Sequence, residues 1–335
     1  MRSRFTAISL LVSSLLAGAD FRVGNKIPIA GEGGWDYVTV DTEGRRVYIS
    51  HASEVVVLDA DSNAVVGKIG DLKGVHGVAI SPEFSRGFIS NGQSGKITVF
   101  DTKTLKKIGD ELSAGKNPDA IIYDPATKRV FAFNGGSSSA TVIDAELAAI
   151  VGTVPLQGKP EFAVADGANA MFVNLEDKSA IARIDTRKLL VEQLWKLAPC
   201  EEPSGMAMDR SARRLFVACG NKMMAVVDAD SGKIVNTMPI CSGVDATAFD
   251  AEPALIFHSC GDGTVSIIHQ DSPDKYTAQE PLATRAGSRT MAVDPKTHKL
   301  FLPTADFETA QPAAEGQRPR RKMLPGTFGL LVVER

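Results

Sequence analysis

The sequence contains few aromatic residues, and its charges are close to balanced. Aromatic side chains make up 6% of the 335 residues, and the formal net charge is −3. Proteins that bind nucleic acid usually carry a broad basic surface, so this balance makes nucleic acid an unexpected partner. The main apolar stretch, residues 7–17, is too short to span a bilayer. The sequence therefore predicts no membrane anchor.

Motifs that carry chemistry are also scarce. There is no C-x-x-C-H segment, which excludes covalent attachment of a c-type haem. A nucleophile elbow, a P-loop and a dinucleotide-binding fingerprint are absent from the contexts that they need, and no H-E-x-x-H pair is present. No cofactor is predicted on this basis. The sequence leaves open whether the protein is an enzyme, and a non-enzymatic role is favoured.

The first 19 residues have the organisation of an export signal. Arg2 and Arg4 precede the apolar stretch, which is followed by Ala17-Gly18-Ala19, an A-x-A cleavage site. We expect cleavage after Ala19 and a periplasmic or secreted mature protein. A frayed N-terminal helix is the alternative interpretation. Residues 20–335 are expected to form a single domain.

A repeat of 40 to 44 residues organises the rest of the chain. Seven β units with a period of 40 to 50 residues are typical of a β-propeller. Asp ends most of the repeated segments, at the ends of strands, so these residues are interpreted as turn caps and not as catalytic groups. The repeated segments are YVTVD (37–41), GVAIS (77–81), AIIYD (120–124), FAVAD (162–166), GMAMD (205–209), ATAFD (246–250) and TMAVD (290–294).

The repeat predicts an all-β fold of seven four-stranded blades. In the second unit the expected strands are residues 77–81, 87–90, 96–100 and 106–110, separated by turn residues. The last unit ends after its third strand, in FGLLVVER, and the segment FRVGNKIPI (21–29) resembles the fourth strands of other units. We therefore expect the N-terminal strand to complete the last blade, which would remove an exposed sheet edge.

The repeat resembles the YVTN β-propeller repeat, and residues 21–335 resemble the YncE-like family of secreted seven-bladed propellers. The resemblance is carried by GVHGVAISPEFSRGFISNGQSGKITVFDTKT, KNPDAIIYDPATKRVFAFN, TMAVDPKTHKLFLPT and the ending PGTFGLLVVER. The signature tetrapeptide is degenerate, as in VYIS (47–50) and LFVA (215–218). The resemblance implies a rigid periplasmic propeller that acts as a binding or interaction module.

Propeller ligands usually bind where the inner strands open into the central channel, at a site that we call the channel mouth. Residues directly before the repeated segments should converge there; they are Asp36, His76, Asp119, Glu161, Ser204, Asp245 and Arg289. Carboxylates and a histidine suit a divalent metal, with His76, Asp119, Glu161 and Asp245 as candidate ligands. The alternative is a water-filled funnel with an internal Arg289 pair. Loops after the second strands should add His51, Asn91, Asn134, Asn174, Cys219, His258 and Thr304 to this face.

The four cysteines are regularly placed. Cys200 and Cys219 are 19 residues apart, as are Cys241 and Cys260, and the two pairs occupy equivalent places in adjacent units. Four cysteines in an oxidising compartment favour two disulfides, so Cys200–Cys219 and Cys241–Cys260 are expected. The alternative pairing is Cys219–Cys241 across two blades. A thiolate metal or redox site assisted by His258 is the functional alternative.

The last unit contains an insertion between Thr304 and Gly326 that is rich in Pro, Ala and charge. It should form a long loop over the channel mouth. Partner docking is one interpretation, with the basic end of the loop facing the acidic mouth, and a solvated insertion is the other. The basic residues are Arg318, Arg320, Arg321 and Lys322.

Three classes of function remain open. The favoured one is a periplasmic binding or interaction scaffold that engages a protein or a small-molecule ligand at the channel mouth. The second is a metal-dependent hydrolase, similar to propeller lactonases, in which His76 or a metal-activated water provides the base. The third is a dehydrogenase-type propeller that holds a redox cofactor. A ring that closes on itself needs no second subunit, so a monomer is expected.

Overall fold

Seven antiparallel sheets make up the part of the chain that the computed structural model describes, residues 21–29, 31–308 and 322–335. The helices within these ranges are two 3₁₀ turns, Pro82–Phe84 and Glu176–Lys178. Neither is long or apolar enough to cross a membrane. The predicted all-β, seven-bladed propeller is confirmed. The predicted signal peptide, residues 1–19, lies outside the described residues.

The strands are labelled in chain order, beginning with two short N-terminal strands, β1 (Arg22–Val23) and β2 (Ile27–Pro28). Blade 1 contains β3 (Trp35–Asp41), β4 (Arg46–His51), β5 (Glu54–Asp59) and β6 (Val65–Ile69). Blade 2 contains β7 (Val75–Ser81), β8 (Arg86–Asn91), β9 (Lys96–Asp101) and β10 (Leu112–Ser113). Blade 3 contains β11 (Pro118–Asp124), β12 (Arg129–Asn134), β13 (Ser139–Asp144) and β14 (Ala149–Pro155).

The remaining blades follow the same order. Blade 4 contains β15 (Pro160–Ala165), β16 (Ala170–Leu175), β17 (Ala180–Asp185) and β18 (Leu190–Lys196). Blade 5 contains β19 (Pro203–Asp209), β20 (Arg214–Cys219), β21 (Met223–Asp228) and β22 (Ile234–Pro239). Blade 6 contains β23 (Val244–Asp250), β24 (Leu255–Cys260), β25 (Thr264–Ser272), β26 (Lys275–Ala278) and β27 (Leu282–Ala283). Blade 7 contains β28 (Ala292–Val293), β29 (Leu300–Thr304) and β30 (Gly329–Glu334).

The outermost strand of blade 2 differs from its prediction at residues 106–110. Lys107 forms only an isolated bridge to Phe100, and regular pairing is restricted to β10, where Leu112 lies opposite Ile97. Gly109 has a φ of +63°, which turns the chain out of an extended path. Such an edge strand is weakly specified because only one of its sides has a partner.

The ring is closed by both ends of the chain. β30 pairs with β29 on one side and with β1 and β2 on the other. Ile27 lies opposite Leu330, and the ring of Phe21 packs edge-on against Phe257 of blade 6, with centroids 5.6 Å apart. The predicted completion of the last blade by the N-terminal segment is confirmed. It covers the edge that β30 would otherwise expose.

The few aromatic residues are concentrated between the blades. One aromatic ring occupies the same position of the second strand in every blade, and each of these residues is at most 1% exposed. Complete burial of such a ring contributes about 1.5–3 kcal/mol to stability. The strands therefore read as continuous apolar runs because each blade packs against two neighbours. The seven residues are Tyr48, Phe88, Phe131, Phe172, Phe216, Phe257 and Phe301.

On the face opposite the channel mouth, charged side chains connect neighbouring blades through hydrogen bonds and ion pairs. Four arginines reach the following blade, in the contacts Arg46 to the Thr102 carbonyl, Arg86 to the Ala145 carbonyl, Arg129 to the Thr186 carbonyl and Arg214 to Asp274. Three turn residues reach an Asp of the preceding blade, in the pairs Arg45–Asp294, Arg213–Asp166 and His298–Asp250. Each of the seven interfaces between blades thus contains at least one such contact. Asp166 also accepts backbone N–H bonds from its own turn, so these Asp residues act structurally.

Candidate functional site

The channel mouth is built by β-bulges. In blades 1 to 6 the first strand has one residue more than the second strand at the position of the mouth residue. In blade 1, for example, Trp35 lies opposite His51 and Val38 lies opposite Ile49, so the bulge contains Asp36. A bulge re-aims a side chain. We infer that the repeated bulge turns the mouth side chains from the blade interior towards the channel.

Hydrogen bonds from neighbouring blades hold the backbone of the mouth in place. Five carbonyl groups of mouth residues accept a hydrogen bond from a side chain of the preceding blade. The donor side chain is given first and the residue with the accepting carbonyl second: Ser50 and His76 (2.5 Å), Ser90 and Asp119 (2.5 Å), Asn174 and Ser204 (2.6 Å), Ser259 and Arg289 (2.6 Å), and Thr290 and Asp36 (2.9 Å). Of these donors the sequence predicted only Asn174 at this face, although Ser50, Ser90 and Ser259 recur at one position of the second strand. The tethers make the mouth a rigid ring.

His76 lies between two carboxylates in one half of the mouth. Its Nδ1 is 2.6 Å from Asp36 Oδ2 and 3.5 Å from Asp119 Oδ1. Burial opposes the charged imidazole, but the hydrogen bond to Asp36 and the charge of Asp119 together raise the pKa of His76. Burial raises the pKa of Asp119 to about 6, against the lowering effect of His76. Gly92 leaves room for the ring, because a Cβ there would lie 2.5 Å from His76 Nε2.

The next carboxylate of the ring, Glu161, is poorly compensated. Burial and the charge of Asp119 raise the pKa of Glu161 to about 7, although Lys159 opposes the shift. The Lys159 Nζ atom lies 3.4 Å from Glu161 Oε2 and forms a shorter ion pair with Glu176. The repeat did not predict Lys159 and Glu176 here, because both lie outside the repeated segments.

Asp245 and Arg289 form the pair that the water-filled funnel would contain. Arg289 Nη1 lies 3.2 Å from Asp245 Oδ2, and the arginine side chain is 53% exposed. Burial raises the pKa of Asp245 to about 6, even though Arg289 lowers it. Three of the four mouth carboxylates therefore resist ionisation. Burial beside other carboxylates raises the pKa of all three groups, and a bound cation would lower these pKa values again.

Beneath the carboxylates, two aromatic rings narrow the channel. The ring centroids of Tyr37 and Phe162 are 5.5 Å apart. Burial, followed by the charges of Asp119, Asp36 and the other mouth carboxylates, raises the pKa of Tyr37. Both rings follow directly after a mouth residue, where the other blades have small residues such as Gly205. This contrast between blades is the sequence signal that could have identified them.

Ser204 contacts the next blade, and the predicted residues at the ends of the second strands are buried. The Ser204 hydroxyl donates to the Val244 carbonyl at 3.4 Å, which makes it a link to the next blade. The residues predicted to add polar groups from the second strands are all buried, because each is covered by the strands on both sides. They are His51, Asn91, Asn134, Asn174, Cys219, His258 and Thr304.

Both predicted disulfides are present. Cys200 bonds to Cys219 and Cys241 bonds to Cys260, so the alternative Cys219–Cys241 pairing is wrong. Each bond joins the loop before a first strand to the end of the second strand. No described cysteine is free, which removes the thiolate site. Burial lowers the pKa of His258 to about 3, and its Nδ1 lies 3.0 Å from the Thr247 hydroxyl.

The insertion of blade 7 is described only at its base. Arg318, Arg320 and Arg321 lie outside the described residues, and the exposed Lys322 has its Nζ 3.5 Å from Glu308 Oε1. Phe307 forms an isolated β-bridge with Met323, and its ring packs against the ring of Trp35, with centroids 6.0 Å apart. Because Trp35 directly precedes Asp36, the base of the insertion lies at the edge of the channel mouth.

Comparisons with known proteins identify the architecture. The chain is similar to a chain of Kuenenia stuttgartiensis hydrazine synthase, with a TM-score of 0.71 and 14% identity, covering 82% of this chain and 94% of that one. It is also similar to a chain of the mitotic checkpoint complex, with a TM-score of 0.72 and 16% identity, covering 97% and 100%. Neither a protein-family model nor a curated protein sequence matches the chain. At these identities the likeness shows a propeller fold and nothing about activity.

Proposed function

We propose that this protein is a binding propeller that holds a divalent cation at its channel mouth. The observation that carries the proposal is the position of the His76 imidazole between Asp36 and Asp119. One nitrogen and two carboxylate oxygens, all within 4.8 Å of one another, come from three different blades. Three protein ligands and an open fourth position are typical of a zinc site that still binds another molecule.

The spacing of these groups suits a small metal ion. Tetrahedral zinc holds nitrogen and oxygen ligands about 3.3 Å apart, as follows from its bond lengths. The two observed distances from His76 Nδ1, 2.6 Å and 3.5 Å, lie on either side of this value. Glu161 and Asp245, which the sequence also predicts as ligands, would then stabilise the ion through their negative charge.

Calorimetric titration of the metal-free mature protein with zinc, manganese and calcium chlorides tests this function. We expect one site per chain, with at least tenfold weaker binding in His76→Ala and in Asp119→Asn. His269→Ala is the matched control, because its Nδ1 also lies 2.6 Å from a carboxylate, that of Asp271, outside the mouth. Unchanged affinity in both mouth variants would overturn the proposal.

A hydrolase is the second candidate, favoured by the contact between His76 and Asp36. A carboxylate that orients an imidazole is the usual support of a general base, and nearby carboxyl groups with a pKa near neutrality can act as acids. The substrates to assay are γ- and δ-lactones, with and without the metal. Hydrolysis that disappears in His76→Ala and falls in Asp36→Asn would support an enzyme. A rate in His76→Ala equal to that of the wild type would exclude this role for the site.

We infer that the chain is an exported propeller of the YVTN-repeat type. The repeated segments, the seven blades and the two disulfides support this assignment, since disulfides persist in oxidising compartments. Mass spectrometry of protein isolated from the periplasm tests it. The expected mass is that of a chain beginning at Asp20 with four hydrogens fewer, and a mass that includes residues 1–19 would contradict it.

We also propose that the basic end of the insertion regulates access of a partner to the mouth. The last of its four basic residues, Lys322, lies beside Glu308 at the edge of the mouth. A variant in which Arg318, Arg320, Arg321 and Lys322 are replaced by Ser should bind cations more tightly, because it loses competing positive charge. Its melting temperature should not change. Equal cation affinity would show that the insertion is merely solvated.

A further inference from the structure

The channel has a second chamber on the other side of Tyr37 and Phe162. It has a volume of about 920 Å³ and is lined by the first strands of blades 1 to 3, with contributions from Phe162 and Arg210. None of its lining residues belongs to the channel mouth. Its far end is formed by turns between first and second strands, so it opens on the face opposite the mouth. We call it the lower chamber.

Apolar side chains in the middle of the strands line the lower chamber. Val40, Ile80 and Ile122 contribute to its wall and are only partly buried, although they occupy corresponding or neighbouring places in three adjacent first strands. Four residue steps, from Tyr37 to Asp41, give the chamber a depth of about 13 Å. Ligand sites in proteins are typically concave, mostly apolar and about 300–1,000 Å³ in volume. The chamber fits this description.

One polar group in the wall lacks a partner. The hydroxyl oxygen of Tyr123 is buried without a hydrogen bond of acceptable geometry among the described residues, although Ser81 and Glu83 lie nearby. An unpaired buried hydroxyl lowers stability, so this position is the polar end of an otherwise apolar wall.

The opening of the lower chamber is acidic. Asp41, Glu43 and Glu83 line it, and Arg210 is the only cationic residue among the lining residues of the described chain. Arg210 donates from Nε and Nη2 to the Ala165 carbonyl, at 3.1 Å and 2.9 Å. This contact directs its guanidinium towards the backbone of blade 4. Lys128 Nζ lies 3.7 Å from Glu83 Oε1 and offsets part of the charge, but the three carboxylates together still favour a cationic end group over an anionic one.

We propose that the lower chamber is a second binding site, for an elongated apolar amine that enters from the face opposite the mouth. The apolar body would lie along Val40, Ile80 and Ile122, and the amino group would lie between Tyr123 and the acidic opening. This site is independent of the cation at the channel mouth. The rings of Tyr37 and Phe162 separate the two.

Fluorescence titration with N-phenyl-1-naphthylamine, a neutral apolar amine, tests the proposal. We expect a saturable increase in emission with one dye molecule per chain, and at least tenfold weaker binding in Ile122→Trp, which fills the chamber. Thr39→Phe is a second filling variant, in case the first fails to fold. Ile150→Trp is the matched control, because it adds the same bulk to the same blade at a position that is 42% exposed on the rim. It should bind the dye as the wild type does.

Competition identifies the end group. Dodecylamine should displace the dye at a concentration at least fivefold lower than dodecanoate, and Glu43→Gln with Glu83→Gln should remove this preference. Asp119→Asn should leave dye binding unchanged, so a failed mouth and a failed chamber are distinguishable. Dye binding that does not saturate, or that is equal in the wild type and both filling variants, would overturn the proposal. Stronger displacement by dodecanoate would overturn the assignment of an amine.

Discussion

Glu161 carries a carboxyl group whose surroundings oppose its ionisation. Its side chain is 18% exposed, and it lies in a ring with three other carboxylates. The nearest cation, Lys159, is shared with Glu176. A buried acid in such a place destabilises the folded state whenever it is charged. The charge of Glu161 therefore lowers the stability of the folded protein, while it adds to the negative potential of the channel mouth.

The pH dependence of stability should reveal this cost. The pKa of Glu161 is raised from its ordinary 4.5 to about 7, so its contribution to stability is complete below pH 4.5 and is lost as the pH rises through 7. Glu161→Gln should therefore be more stable than the wild type at pH 8, by roughly 1–3 kcal/mol, and equally stable at pH 4.5. Calorimetric melting in chelator-treated buffer measures the difference.

The control for this prediction is Glu280→Gln, which changes an exposed carboxyl group outside the mouth. It should leave stability unchanged at both pH values. If Glu161→Gln were less stable than the wild type at pH 8, the ion pair with Lys159 would outweigh the burial of the charge. The mouth would then not be poorly compensated.

The two disulfides close loops of equal length but lie in different surroundings. Each closes a loop with a sequence separation of 19, so the entropic contribution to stability should be similar, roughly 3 kcal/mol. Cys200 and Cys219 are buried in the core of blade 5, whereas Cys241 is partly exposed beside Ser242. A thiolate must reach a sulfur atom to reduce the bond. Access therefore distinguishes the two bonds.

Mild reduction of the folded protein should open Cys241–Cys260 first. We expect at least a tenfold faster reaction with dithiothreitol than for Cys200–Cys219, because the latter requires local unfolding. Alkylation at timed intervals followed by peptide mass spectrometry measures both rates. In denaturant the two rates should become equal. Equal rates in the folded protein would mean that exposure of Cys241 does not control access.

The closure of the ring is a property of the whole molecule. β1 and β2 pair with β30 at the opposite end of the chain, and Phe21 reaches blade 6. The pairs between these strands join residues about 300 positions apart in the sequence. Without them, blade 7 would have an unpaired edge, and the sheet edge is a template for another chain.

Deletion of residues 1–29 should destabilise the ring and promote association. We expect a melting temperature lower by at least 10 °C and dimers or larger species in size-exclusion chromatography with light scattering. The control is deletion of residues 1–20, which retains Phe21, β1 and β2 and should leave the melting temperature unchanged. A monomeric protein of unchanged melting temperature after removal of residues 1–29 would show that closure contributes little.

Much of the architecture could be predicted because each blade repeats it. Apolar runs, turn residues and the spacing of 40 to 44 residues are local patterns, and they recur seven times. The cysteine pairs were predictable for the same reason, since they occupy equivalent places in two blades. The outer strand of blade 2 was not, because a two-residue edge strand is set by weak pairing with Ile97 and not by a strong pattern.

The sequence could identify the residues around the channel mouth, but not the contacts between them. The position before each first strand identified Asp36, His76 and Asp119, because a closed ring must bring equivalent positions together. The sequence could not distinguish Asp36 as the carboxylate that contacts His76, nor show that Ser204 links two blades. These details depend on bulges and on contacts between blades, which involve residues about 40 positions apart and leave no local pattern.

The sequence by itself determined the number of blades and the closure of the ring, because these follow from periodic patterns that each repeat carries independently, and it favoured one of two disulfide pairings. Only the tertiary structure decided which mouth residues touch, how burial shifts their pKa values, and that Tyr37 and Phe162 divide the channel into two chambers. The physical reason is that distance and burial belong to pairs of groups from different blades. Such pairs exist only once the ring has closed.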